Sequence, residues 1–341
     1  MSREPVDFDD VDRGILHALQ VDARAPFRRI GEVLGVSDQT VARRYARLRE
    51  RRVLRVLGLS DPVVVNEQQW LFQVKVASEA AAEIADGLAA RPDTSWVARC
   101  GGGSSIVGTV YGSGAERLLL EVLPRTGQVL DVSADRVLRV FYGGAGQPYS
   151  KPGPLSDEQV GELARHVPEL DAVPDGAVEL DEVDHRMLAV LRGDGRAAID
   201  RLVEATGASV STVRRRLGSL RSSGVLRFDV DVDPSLQRLT TRTLVFAQVA
   251  PAFLERAGEQ VAGHEEVGFA AAVTGTGNLF ASVSTADLPA LYEYLSVRLG
   301  ELEGLRSSST TPVLRTVKAA TTRYSARVSG TDGRSVGARR A

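Results

Sequence analysis

Cysteine is all but missing from this chain. Among 341 residues only Cys100 carries a thiol. One thiol excludes an internal disulfide and any cysteine-rich zinc site. Cys100 follows an apolar stretch and reads as the end of a buried strand, where a lone cysteine behaves as a small hydrophobe. Histidine is almost as sparse. His17, His166, His185 and His264 stand far apart, with no metal-ligand spacing and no adjacent nucleophile. All four are expected on the surface or in a linker, and no metal, catalytic residue or cofactor is expected. Aromatics make up 5% of the chain, and Trp70 and Trp96 fall in strand-like stretches as core residues. No run approaches the roughly 20 apolar residues of a membrane helix, so no membrane partner is expected. The opening MSREPVDFDDVD is acidic and polar, unlike a signal peptide. The expected compartment is the cytoplasm.

A strong overall charge is absent too: the net charge is −2. Its distribution is uneven. Residues 24–55 hold ten Arg against three acids, and residues 192–227 hold eight Arg against three. A local basic patch on a near-neutral protein is the footprint of a phosphate-binding surface. These two stretches belong to a repeat. Residues 8–62 align with 180–234 at a constant offset of 172, and 23 of the 55 aligned positions are identical. The period is that of a domain rather than of a solenoid.

Within the repeat, Asp9 and Asp181 can cap a first helix. A second helix follows Pro26 and stops at Gly35. Ser37 and Ser209 cap a third, whose inner face is Val41, Tyr45 and Leu48, or Val213, Leu217 and Leu220, at helical spacing. Gln39, Thr40, Arg43, Arg44 and Arg47 surround the first of these faces, and Ser211, Thr212, Arg214, Arg215 and Arg216 the second. None of these Arg has an acidic partner at i,i+4. A strand follows, Val53–Leu59 and Val225–Val232. Three helices and a strand read as a winged helix-turn-helix. Between the copies the pattern is strand 69–76, helix 79–90, strands 95–100 and 105–111, helix 115–123, strand 136–142. It recurs as strand 242–249, helix 252–262, strands 267–273 and 278–284, helix 287–299, strand 313–318. That is βαββαβ twice. The fold class is therefore α+β: two winged helix-turn-helix domains (1–62 and 177–234) alternate with two ferredoxin-like domains (66–145 and 236–320). Residues 146–176 hold five of the 14 prolines and read as a linker with a helix at 156–166. Residues 325–341 read as a disordered tail.

This order resembles the Lrp/AsnC (feast/famine) family of transcriptional regulators, twice over in one chain. The resemblance rests on Asp9-x-x-Asp12-x-x-Ile15-Leu16, Asp22-Ala23-Arg24 and Ser37-x-x-Thr40-Val41-x-Arg43-Arg44. It recurs in Asp181-x-x-Asp184, Asp194-Gly195-Arg196 and Ser209-x-x-Thr212-Val213-x-Arg215-Arg216, and in the hairpin Thr274-Gly275-Thr276-Gly277-Asn278-Leu279. It implies a sequence-specific regulator that binds double-stranded DNA as a single-chain pseudo-dimer. Its regulatory halves would pack sheet against sheet, and chains would associate further into homo-oligomers. It also implies a small-molecule effector, an amino acid or related metabolite, near the hairpins, which places Gly102, Ser104, Gly275, Thr276 and Asn278 as effector residues. Family members often carry acids where Thr276 and Asn278 stand, so a neutral ligand is expected at the second hairpin. The same architecture occurs in sirohaem decarboxylases, which rely on His and Arg in the regulatory-like domain. Residues 63–145 contain no His, and no enzyme activity is expected.

Overall fold

The computed structural model describes residues 8–51, 53–62, 64–65, 67–143, 151, 153–167, 178–232, 239–319 and 322–323. The tail 325–341 and most of the linker's ends lie outside them.

The first reader comprises α1 (Asp10–Val21), α2 (Phe27–Leu34), α3 (Asp38–Glu50) and β1 (Leu54–Ser60). Asp9 caps α1 in a full capping box with Asp12, which satisfies two otherwise orphaned backbone donors. Gly35, left-handed at φ 68°, ends α2, and the Ser37 hydroxyl accepts from Thr40 N to start α3. The first regulatory half runs β2 (Gln69–Val76), α4 (Ala81–Ala90), β3 (Thr94–Cys100), β4 (Ser105–Tyr111), α5 (Gly114–Arg117, continued by a π-helical turn) and β5 (Val129–Tyr142). The linker forms α6 (Asp157–Ala164). The second reader is α7 (Glu182–Gly193), α8 (Ile199–Thr206), α9 (Val210–Ser222) and β6 (Leu226–Val232). The second half is β7 (Thr241–Val249), α10 (Leu254–Gly263), β8 (Val267–Val273), β9 (Leu279–Thr285), α11 (Leu288–Glu293, again with a π-helical continuation), β10 (Leu305–Ala319) and the short β11 (Thr322–Arg323).

The two halves close into one barrel. β5 pairs with β2 of its own half up to Arg136 and with β8 of the other half from Val137. β10 pairs with β7 up to Pro312 and with β3 from Val313. Eight strands thereby form a ring, in which each sheet's edge is covered by the other half. Leu71, Cys100 and Val107 from one half share an interior cluster with Leu244, Phe246 and Phe280 from the other. The helices cover the outer faces, with Phe72 and Ile106 beneath α4 and Val245 and Val261 in the α10 layer. The expected pair of facing sheets is thus also joined edge to edge. β5 and β10 begin earlier than predicted, at Val129 and Leu305; residues 305–312 (LRSSSTTP) are mostly exposed and lack the apolar alternation that marks a strand.

The pseudo-twofold relation holds residue by residue. Val137, Arg139, Val140 and Tyr142 oppose Val273, Ala272, Ala271 and Ala270. Val313, Arg315, Thr316 and Lys318 oppose Cys100, Arg99, Ala98 and Val97 with the same bulges. The readers are joined likewise: β1 and β6 form a two-stranded antiparallel ribbon, Leu54 opposite Val232 and Ser60 opposite Leu226.

The linker is not a tether on its described part. Leu155 and Leu163 enter the first reader's core beside Ile15, Leu16 and Leu19. Leu155 N donates to His17 Nδ1 at 3.2 Å, and Gln159 Nε2 donates to Val33 O at 2.6 Å. This corrects the expectation for two histidines. His17 is buried beneath the linker, and His264 is buried with its Nδ1 3.2 Å from the Tyr294 hydroxyl. His166 and His185 are exposed, as expected. Cys100 ends β3 fully buried, and burial pushes its thiol up to about 12.

Candidate nucleic-acid interface and effector hairpins

In α3, Val41, Tyr45 and Leu48 are buried, which turns Gln39 and Arg43 to solvent and leaves Thr40 half-exposed. In α9, Val213, Leu217 and Leu220 are buried. Ser211, Arg214 and Arg215 are exposed and Thr212 is half-exposed. Thr40 and Thr212 share the caps: each hydroxyl lies 2.9 Å from Ser37 or Ser209 Oγ.

The remaining arginines have work inside the chain. Arg44 Nη1 lies 2.6 Å from Asp9 Oδ2 and 3.3 Å from Asp12 Oδ2, and Arg47 Nη2 lies 2.5 Å from Asp12 Oδ2. Arg216 pairs with Asp181 and, at 3.2 Å, with Asp184. Asp12 and Asp184 are buried, and a buried carboxylate needs such a partner. Their ion pairs fasten the recognition helix to the first helix of its reader. Arg44 in turn holds the Asp9 carboxyl below its usual range, after the larger effect of the Asp12 backbone N–H. Counting only i,i+4 partners misses acids that stand 35 residues away.

A second set of arginines locks reader to reader. Arg24 donates to Gly195 O at 2.6 Å and Ala197 O at 3.0 Å. Arg196 donates to Ala23 O at 2.7 Å and Ala25 O at 2.9 Å. Arg49 pairs with Asp194 at 2.8 Å and Arg221 approaches Asp22 at 3.7 Å. Such a self-complementary joint is what a two-fold interface requires. The repeated Asp-x-Arg signal was visible in both copies; its role in the joint was not.

The hairpins differ from one another. Gly101, Gly102 and Gly103 turn at φ 49°, 79° and 91°, conformations that only glycine adopts at little cost. Gly102 is exposed and Ser104 half-exposed. At the second hairpin Gly275 and Thr276 are exposed, whereas both ends of the Asn278 amide are taken: Oδ1 accepts from Val249 N at 2.8 Å and Nδ2 donates to Val249 O at 2.9 Å. Asn278 therefore closes the end of β7. The fold also brings an acid to this hairpin, which sequence did not foresee. A Cβ on Gly275 would lie 2.2 Å from Asp135 Oδ1 on β5. Burial raises the Asp135 carboxyl above its usual value.

The AsnC-type helix-turn-helix domain matches residues 8–49, a winged helix-turn-helix DNA-binding domain matches 180–227, and the Lrp/AsnC ligand binding domain matches 243–322. An HTH-type transcriptional regulator of Pyrococcus horikoshii is 30% identical over 142 residues, 89% of its own length and 41% of this chain. The chain belongs to the Lrp/AsnC family. The HTH-type transcriptional regulator FL11 of Pyrococcus abyssi is 28% identical over 145 residues, 95% of its length and 42% of this chain. Such relatives are one unit long, and this Lrp/AsnC chain contains two. The siroheme decarboxylase NirDL superposes over 93% of this chain and 94% of its own, with TM-score 0.61 and 17% identity, so the two share the double-unit fold. No described helix is long and apolar enough to cross a membrane.

Proposed function

We propose that this Lrp/AsnC regulator docks on double-stranded DNA as a single-chain pseudo-dimer, each reader offering one recognition helix to one half-site. The observation that carries the reading is the pair of solvent-facing helices α3 and α9. On them Arg43, Arg214 and Arg215 stand exposed while their sister arginines are held by acids. Arg can neutralise phosphate or take guanine O6 and N7, and Gln39 suits adenine. The helices differ where bases would be read: Asp38 in one corresponds to Val210 in the other, Gln39 to Ser211, and Ala42 to Arg214. Val210 is 42% exposed at the first turn of α9, a placement that suits a thymine methyl. The preferred site is then an imperfect palindrome with unlike half-sites, read in one orientation. Selection of duplexes from a random pool tests this. Two unlike half-sites are expected. A fully symmetric consensus, or affinity that does not fall steeply with salt, overturns it.

The effector reading places a small metabolite at the hairpins, through Gly102, Ser104, Gly275 and Thr276. Exposed Leu130, Leu138 and Leu314 on the long strands support association of chains into homo-oligomers.

The shared fold with NirDL favours testing a second reading, a tetrapyrrole-processing enzyme. His264, the histidine of the second half, is packed against Tyr294, and burial lowers its basicity. The regulator reading expects no Soret band to shift when the protein is titrated with an iron porphyrin.

A further inference from the structure

The barrel's two junctions obey the same register but carry opposite chemistry. At the junction of β5 and β8, Arg139 faces Ala272 and is neutralised by Glu255 of α10 at 2.7 Å. At the equivalent junction of β10 and β3, Arg315 faces Arg99 directly across the strands. Like charges in that position repel. Among the described residues neither has a carboxylate partner. Arg99 Nη2 reaches Gly103 O at 3.3 Å. Arg99 Nε and Arg315 Nη2 are buried and make no hydrogen bond among the described residues. Unpaired buried guanidinium donors are costly, and two side by side call for an anion that accepts from both.

The surroundings agree. The three-glycine turn Gly101–Gly103 begins one residue after Cys100, and a Cβ added at Gly102 would meet nothing within 4 Å. Approach to the turn is open. Thr311 lies beside Gly101 where, at the other hairpin, the acid Asp135 lies beside Gly275. Among the described residues, then, no acid meets Arg99 or Arg315, whereas Glu255 meets Arg139 and Asp135 lies beside Gly275.

We propose that Arg99 and Arg315, beside the Gly101–Gly103 turn, form a binding site for the carboxylate or phosphate group of a small metabolite. The proposal deepens the effector reading, on which its regulatory meaning rests. The site is single per chain, because its pseudo-symmetric counterpart has Ala272 in the place of Arg99 and Asp135 in the place of Thr311.

Calorimetry on the full chain at constant ionic strength, with inorganic phosphate and with citrate as probes and a neutral amide as control, tests it. Binding of at least one anion is expected, and which of the two binds separates the phosphate from the carboxylate source. Arg99→Ala and Arg315→Ala should each weaken it by about tenfold or more. Arg139→Ala at the opposite junction should leave it unchanged. Arg99→Glu should abolish binding while raising Tm, since Arg315 gains a partner, which also shows that the barrel is intact. Anion binding that is absent from the wild type, or equal in the wild type and both alanine variants, overturns the proposal. Duplex binding measured on the same preparations keeps the two readings apart. A chain that binds DNA but neither anion loses only this site. A chain that binds an anion but no duplex loses the regulator reading and keeps the anion site.

Discussion

The two readers share a scaffold, yet one is roofed and the other is open. On α1, the face bearing Leu16 and His17 lies under the linker, whose Leu155, just before α6, and Leu163, within it, complete the core. On α7, the equivalent Leu188 and Ala189 instead line a cavity of about 420 Å³ between the second reader and the barrel, with Asp61, Tyr111, Arg192 and Arg227. Duplication made the units alike. The linker exists once, so it can serve only one of them. Fusing two protomers into one chain removes the requirement that both halves remain equal, and the asymmetry is concentrated where the linker docks and where the long strands cross.

The largest expected effect breaks this comparison directly. Leu163 is fully buried, and Leu163→Ala should destabilise the first reader by about 2–5 kcal/mol. Leu188→Ala, which borders the cavity, should cost the second reader well under half of that, because less apolar area is removed from contact. Hydrogen exchange of the α1 and α7 amides reads each reader separately. Equal losses would mean that the linker helix adds no stability to the first reader.

The reader-to-reader joint is expected to behave symmetrically where the linker does not. Arg24→Ala and Arg196→Ala each remove two hydrogen bonds from a half-buried guanidinium to backbone carbonyls, and each should cost about 1.5–3 kcal/mol. Both should also weaken binding to a two-half-site duplex more than to an isolated half-site. If only one variant has an effect, the joint is unequal and the first reader's roof extends to it.

The arginines of the recognition helices separate by what they touch. Arg43→Ala or Arg215→Ala should reduce DNA affinity by about 1–3 kcal/mol where a base edge is met, without lowering Tm. Arg44→Ala and Arg216→Ala should lower Tm as well, Arg216→Ala the more, since Asp184 then stays buried without its ion pair whereas Asp12 keeps Arg47 and only Asp9 loses its partner. Thermal melts beside binding isotherms distinguish the two classes.

Much of this was legible in the sequence because it is local. Caps at Asp9, Ser37, Asp181 and Ser209, the inner faces of α3 and α9 and the repeated βαββαβ order follow from spacing and residue type. What was not legible depends on distant partners. Nothing near Arg44 in sequence says that Asp9 and Asp12 will hold it. Nothing near Gly275 announces Asp135. The polar first half of β10 has no apolar alternation because its residues are exposed, so its pairing with β7 could not be seen from period alone. The linker's docking was invisible for the same reason: Leu155, Val160 and Leu163 are a few apolar residues in a proline-rich stretch, and only the face of α1 that they cover makes them core.

The smallest expected effect sharpens the comparison with acid. His17 accepts a hydrogen bond from Leu155 N through Nδ1, so its ring must be neutral, with the proton on Nε2. Burial holds its folded pKa below the ordinary value of 6.5. Between those two values the unfolded chain binds more protons than the folded one, so stability is complete above about pH 6.5 and is lost as pH falls towards the folded pKa. A protonated ring cannot accept from Leu155, and the roof should loosen. The second reader has Ala189 at this place and no such group. The capping aspartates Asp9 and Asp181 also lie below their ordinary values, but they titrate in both readers and largely cancel in the difference. Hydrogen exchange followed from pH 7 to pH 5, after correction for intrinsic rates, should therefore show protection of α1 falling relative to α7. His17→Gln, whose amide oxygen can accept from the same N–H at any pH, should flatten the difference. A relative protection of α1 and α7 that does not change with pH in the wild type would mean that His17 does not hold the linker in place.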